Sequence, residues 1–261
     1  MKQFVLNSKP DKNGHLRFEG GDYRYLARVR RLAPGEYFPA LLPGADSSVS
    51  VKVLSVDNRV LVGEISDEKS GRPESSVSKN SLPPMFLFQS LPKGEKMDII
   101  VRQAAEGGIE QIVPFMSEFS EVKSKNSWHK FTRWERIIKE ARQQSGSLTA
   151  TVIRQPVSID GLFAFWEELN ARNSGVLGLL FHHFPLANTS LHEYLYKEPG
   201  IVALAIGPEG GFSDSEAQRF IAAGFKPLTI GETILRTETA ALYAQAVVRI
   251  LLLERDSWEM K

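Results

Sequence analysis

Val176–Phe181 and Ile201–Ile206 carry no polar side chain at any position, and Met85–Leu91 and Ile109–Phe115 are largely apolar. A strand that is apolar without alternation has both of its faces covered, which is the condition of a parallel sheet between layers of helices. The intervening segments fit that arrangement. Lys96–Glu106 has helical periodicity, Ser127–Gln144 and Leu162–Leu169 read as further helices, and Pro227–Ile230 reads as a last short strand. Strands alternating with helices in this way predict an α/β domain with a mostly parallel sheet.

The segment before residue 72 follows a different rule. Phe4–Leu6, Tyr37–Leu42, Ser48–Val56 and Arg59–Ile65 are short, β-branched and alternating, with Pro43-Gly44 and Asp57-Asn58 as turns between them. Such a pattern predicts a small β-barrel or sandwich. The Ser/Gly/Pro/Lys-rich stretch Ser70–Pro84 separates the two regimes, so the expected domains are 1–72, a linker over 73–84, and 85–261. Charge divides at the same place. Residues 1–72 hold 12 Lys and Arg against 9 Asp and Glu, a net of +3, while the rest of the chain holds 20 against 22, a net of −2. Arg24, Arg28, Arg30 and Arg31 lie within eight residues, beside Tyr23 and Tyr25. A basic cluster with interleaved aromatics suits an RNA backbone and unstacked bases, and it equally describes a solvated helix face.

In an open α/β sheet, ligands bind beyond the carboxyl ends of the strands, which directs attention to the loops. The first candidate, Ala205–Glu216 with the sequence AIGPEGGFSDSE, leaves an apolar strand through Gly207, Pro208, Gly210 and Gly211 and starts a helix with the capping-box pattern Ser213-x-x-Glu216. A stiff loop with exposed amides at a helix start can hold the polar end of a nucleotide-like ligand, or can merely join strand to helix. The loop matches neither a Walker loop nor G-x-G-x-x-G. The second candidate, Thr229–Leu253, passes through Gly231 into a helix apolar on most of its surface. Tyr243, Ala244, Val247, Val248 and Leu251 on that helix could face a core or a partner subunit. At its start stands Arg236, able to bind a phosphate, to orient a base, or to pair with Glu209 or Glu238.

Composition closes off several chemistries. There is no cysteine, which removes disulfides, zinc ribbons and thiolate nucleophiles. His182-His183 has no third ligand at zinc-like spacing, so no metal is expected. No apolar run reaches the roughly 18–20 residues of a membrane span, and Met1–Leu6 does not read as a targeting segment. The expectation is a cytoplasmic protein.

Taken together, PKGEKMDIIVRQAAEGGIEQIVPFMSEFSEV (Pro92–Val122), ARQQSG (Ala141–Gly146), IGPEGGFSDSE (Ile206–Glu216) and ILRTETAAL (Ile234–Leu242) resemble the RsmE family of 16S ribosomal RNA methyltransferases, which modify a uridine at ring nitrogen three. YLARVRRL (Tyr25–Leu32), followed by Pro34-Gly35, is similar to that family's N-terminal motif. The resemblance implies an N-terminal PUA-like RNA-binding barrel, a C-terminal SPOUT domain with a trefoil knot, a homodimer, and S-adenosyl-L-methionine bound in the knot. Carried over by position, the cofactor pocket comprises Ile206, Gly207, Gly210, Gly211, Ile230, Gly231, Ile234, Leu235, Thr237, Thr239 and Ala240. The implied partner is 16S ribosomal RNA or the small ribosomal subunit, met by Arg24, Tyr25, Arg28, Arg30 and Arg31. Arg236 is the candidate for substrate positioning and charge stabilisation, and Glu209 is either a base or a brace for its loop. The sequence departs from the family pattern at Tyr25, Gln103, Gly107, Ser147 and Thr233, mostly by loss of polar or cationic side chains. Two alternatives accompany this reading: a related enzyme acting on a ribose or a transfer-RNA base, and a catalytically silent RNA-binding or ribosome-assembly protein.

Overall fold

The computed structural model describes residues 3–45, 47–66, 82–120, 127–182 and 190–258. The chain divides into two compact units, one of residues 1–78 together with 142–148, the other of residues 79–141 and 149–261.

The first unit contains a five-stranded sheet. Its strands are β1 (Phe4–Val5), β2 (His15–Phe18), β3 (Tyr37–Leu41), β4 (Ser48–Asp57) and β5 (Val60–Ser66), in the order β1-β3-β4-β5-β2. Only β1 and β3 pair in parallel. The hairpin between β4 and β5 turns on Asn58 and Arg59, both at positive φ (44° and 66°), one residue later than the predicted Asp57-Asn58. That backbone matches the twist of a two-residue hairpin. β2 was not expected; its buried residues Leu16 and Phe18 pack with Phe4 and Phe38 in one cluster.

The basic cluster lies on a short helix, α1 (Gly20–Tyr23), that runs directly into a π-helical segment, Arg24–Val29. There the Arg30 amide donates to the Tyr25 carbonyl at 2.8 Å. Arg24, Arg28 and Arg31 are exposed and Arg30 is half-buried. Tyr25 faces the other way, stacked on Phe4 with ring centroids 6.2 Å apart.

In the second unit the sheet runs β12 (Lys226–Leu228), β10 (Val176–Phe181), β11 (Ile201–Ile206), β6 (Met85–Ser90), β7 (Gln111–Met116), β8 (Val152–Ile153), with β9 (Val157–Ser158) also on β7. All of these pairings are parallel. The lack of alternation in the strands now has its cause. Leu87, Leu179, Val202 and Leu204 point into a core shared with α2 (Lys96–Glu106), α3 (Ser127–Ser145) and α7 (Thr237–Trp258). Their neighbours Phe86, Phe88, Leu180, Ala203 and Ala205 point into a second core, built with α4 (Ile159–Arg172) and α6 (Asp214–Ala222). Each apolar side chain is thus withdrawn from water on one face or the other, at roughly 1.5–3 kcal/mol for a large one.

Candidate active site

Three loops meet at the carboxyl ends of neighbouring strands β10, β11 and β12 and enclose a pocket. Phe181 ends β10 and His182 follows it, Ile206 ends β11 and Gly207–Phe212 follow it, and Thr229–Gly231 with Thr233–Leu235 follow β12, while Thr237 and Ala240 from the first turn of α7 close the floor. Ten of the eleven residues assigned to a cofactor pocket from sequence line it: Ile206, Gly207, Gly210, Gly211, Ile230, Gly231, Ile234, Leu235, Thr237 and Ala240. Thr239 does not; it is half-buried on α7. The buried His182, set aside in the sequence as a metal ligand, is a wall of the pocket instead. His183 lies outside the described residues. No group of three or more His, Asp or Glu among the described residues could hold a metal ion.

The β11 loop is shaped by its own packing. A Cβ on Gly207 would stand 3.0 Å from the Gly211 carbonyl carbon, and one on Gly210 would stand 3.0 Å from the Phe119 Cβ. Gly211 itself has φ +72°, a left-handed conformation that favours glycine. The first two glycines therefore make room for the loop's turn and for Phe119, and all three line the pocket. The capping box expected at Ser213 is present: Ser213 Oγ accepts from the Glu216 amide, and Glu216 Oε2 accepts from the Ser213 amide at 3.1 Å. The other oxygen of this buried carboxylate accepts from the Glu118 amide at 2.8 Å, tying the loop after β7 to the start of α6.

The floor is fixed by a buried polar chain. Gln89 Nε2 donates to Thr237 Oγ at 3.1 Å, and Thr237 Oγ donates to the Gly207 carbonyl at 2.6 Å. Arg236 stands next to this anchor, exposed. Glu209 also lines the pocket. Its carboxylate accepts from Lys96 Nζ at 2.6 Å and from the Lys93 amide at 3.1 and 3.3 Å. Partial burial pushes its pKa up, but the Lys96 ammonium and the backbone amides outweigh burial and hold it below the usual value. A carboxylate so held is a weak proton acceptor and a good brace.

Lys93, Lys96 and Phe119 were not singled out in the sequence, where no local pattern marks them; Glu216 was, through the capping box. Among the departures from the family pattern, Thr233 lines the pocket, while Gln103 and Gly107 lie in a separate groove beside Gln245 and Arg249 on α7. Ser147 accepts through its carbonyl from Gln3 Nε2 at 3.0 Å, within the first unit.

The fit to an adenosyl cofactor rests on the lining. Ile206, Phe212, Ile230, Leu235 and Ala240 offer apolar surface for a flat heterocycle, and Thr229 and Thr233 bring hydroxyl side chains to the same wall.

Comparison with known proteins gives the family. Residues 78–249 match the family model described as RNA methyltransferase domain. Ribosomal RNA small subunit methyltransferase E of Aquifex aeolicus is 31% identical over 251 residues, covering 95% of this chain and 98% of that one. Its counterpart from Synechocystis is 31% identical over 231 residues, covering 87% of this chain and 70% of that one. Among solved structures, ribosomal RNA small subunit methyltransferase E from Neisseria gonorrhoeae bound to S-adenosyl methionine superimposes with a TM-score of 0.79 at 25% identity, covering 96% of this chain and 98% of that one. A methyltransferase from Legionella pneumophila, in complex with the same cofactor, gives 0.77 at 27% identity, covering 96% and 97%.

Proposed function

The chain belongs to the ribosomal RNA small subunit methyltransferase E family, and from that premise we propose that it methylates ring nitrogen three of a uridine in 16S ribosomal RNA, using S-adenosylmethionine. The observation that carries this reading is the three-loop pocket: ten residues placed there by resemblance line one continuous wall at the ends of β10, β11 and β12.

When bound, S-adenosylmethionine supplies an electrophilic methyl group on sulfur. The protein's part is to hold the acceptor nitrogen in line behind that methyl and to exclude water. A uracil ring nitrogen is nucleophilic only after its proton has left. Arg236, exposed beside the Thr237 anchor, stabilises the resulting anionic ring. Glu209 braces the β11 loop through Lys96 and the Lys93 amide, and the proton passes to solvent rather than to this paired carboxylate.

The remaining parts of the reading are the PUA-like barrel over 1–72, a linker over 73–84, the trefoil-knotted SPOUT domain over 85–261, the homodimer, and a cytoplasmic location. The five-stranded sheet with its exposed Arg24, Arg28 and Arg31 supports an RNA-binding module. The homodimer is supported by α7. Ala241, Ala244 and Val248 on one face are buried, while Leu242, Tyr243, Val247, Ile250 and Leu253 stand 37–52% exposed on the other. Sedimentation of the protein as a monomer at micromolar concentration would remove that part. No described helix is long and apolar enough to cross a membrane.

Incubation with labelled methyl donor and under-modified small ribosomal subunits tests the function, with the modified nucleotide mapped by mass spectrometry. Label at a ribose or in transfer RNA points to the related enzyme, and RNA binding without any label points to the silent assembly protein.

A further inference from the structure

The β11 loop lines the pocket, and the same residues reach the loops that follow β6 and β7, where Glu209 pairs with Lys96 and a Cβ on Gly210 would meet Phe119. Phe119 is 45% exposed, and among the described residues it is the one phenylalanine that stands open in this way. The rest of that turn is held rigidly. Ser90 Oγ lies 2.6 Å from Ser117 Oγ and 2.9 Å from Ser120 Oγ, the Ser117 amide donates to Ser120 Oγ at 3.1 Å, and the Glu118 amide donates to buried Glu216. Both ends of the turn are thereby pinned, to β6 and to the start of α6. At its tip the Phe119 Cβ, Cγ and Cδ2 lie 3.0–3.4 Å from where a Cβ on Gly210 would stand, so the side chain sits over that glycine.

This leaves a large apolar ring open on a well-anchored turn, beside a glycine that lines the pocket. The proposed reaction needs such a surface, because a base taken out of an RNA stack loses its neighbours and must be held flat against something. We infer that Phe119 is the stacking platform for the target nucleobase, and thus a substrate-positioning residue. The inference rests on the RNA methyltransferase reading. Base–aromatic stacking is indifferent to base identity, so Phe119 fixes the plane of the ring while Arg236 responds to its charge. A neutral ring also leaves the uracil anion free of a second cation, so that charge stabilisation stays with one residue.

The test compares Phe119→Ala, Phe119→Leu and Phe119→Trp in methyl transfer to small-subunit RNA, with cofactor affinity measured in parallel by calorimetry. Leucine keeps the carbon atoms that touch Gly210 and removes only the flat face. The expected result is a fall in kcat/KM for RNA of about tenfold or more in both the alanine and the leucine variants, recovery in the tryptophan variant, and cofactor affinity within about twofold of wild type for leucine and tryptophan. Wild-type turnover in the leucine variant overturns the inference, because packing alone would then suffice. A fall in cofactor affinity that accounts for the lost activity overturns it as well, since Phe119 would then only support Gly210. Absence of methyl transfer by the wild type is the separate result that removes the functional reading and this inference with it.

Discussion

Thr237 Oγ donates to the Gly207 carbonyl across 2.6 Å, joining the first turn of α7 to the loop after β11, two segments 30 residues apart in the chain. Both residues line the three-loop pocket, and Thr237 is itself the acceptor for buried Gln89 Nε2. The pocket floor therefore depends on a single hydroxyl that accepts from one strand's side chain and donates to another strand's loop.

Thr237→Val keeps the shape and removes the hydroxyl, leaving a buried donor on Gln89 and a buried acceptor on Gly207 with one partner fewer. Each such loss costs about 1–3 kcal/mol. The variant is expected to melt several degrees lower and to bind S-adenosylmethionine at least tenfold more weakly, while Thr237→Ser restores most of both. Unchanged calorimetric affinity in the valine variant would show that the floor does not need this bond.

Glu209 gives a prediction in pH. Its pKa is lowered from the ordinary 4.5, so its ionised pairing with Lys96 contributes above the unfolded value and is lost as pH falls through the lowered, folded value. Cofactor affinity should hold from neutrality down past pH 4.5 in the wild type, and Lys96→Met should move that acid limb upward. At neutral pH Glu209→Gln should keep methyl transfer within about tenfold, against the 10²–10⁴-fold loss that removal of a general base brings. A loss on that larger scale would make Glu209 the proton acceptor.

Gly210→Val forces a side chain into Phe119, 3.0 Å from the position of its Cβ, and Leu235→Asp places a charge in the apolar wall. Both should abolish measurable cofactor binding, by different routes. The valine variant distorts the loop, and the aspartate variant must desolvate a carboxylate. Retained binding in either, measured on folded protein, would place the cofactor elsewhere.

Arg236 should separate binding from turnover. Its guanidinium is exposed and lies outside the pocket lining, so Arg236→Ala should leave cofactor affinity unchanged while kcat falls about 10²–10³-fold, the scale of a lost charge-stabilising donor. Arg236→Lys should recover only part of this, because an ammonium lacks the planar fork. If KM for RNA rises and kcat stays constant, Arg236 binds phosphate rather than the reacting base.

The second domain was legible in the sequence because its strands are buried on both faces. Val176–Phe181 and Ile201–Ile206 were bounded correctly to the residue, since no competing pattern crosses them. β12 ends at Leu228 rather than Ile230 because Thr229 and Ile230 turn off the sheet to line the pocket. Strands β2, β8 and β9 escaped notice, being two to four residues long, too short for a period to register. In the site, loop composition located the pocket, but the closeness of Gly210 to Phe119 could not be read from it, because the two are distant in the chain. Lys96 and Glu209 are separated by 113 positions, and no local pattern relates them.

The basic cluster of the first unit is divided by burial. Tyr25 stacks on Phe4 inside the first unit, so its ring is committed to the core, whereas Arg24, Arg28 and Arg31 are exposed and Arg30 half-buried. Arginines that meet phosphates release counterions, and removing one such arginine should flatten the plot of log affinity against log salt by about 0.7 for single-stranded RNA. Arg30→Ala with Arg31→Ala should therefore reduce the slope by about 1.4 and weaken RNA binding evenly across sequences, with cofactor affinity untouched. Tyr25→Phe should leave the slope alone, while Tyr25→Ala should lower the melting temperature because the stack on Phe4 is gone. A slope that survives the double substitution would mean that these two arginines are a solvated surface and that the phosphates are met elsewhere.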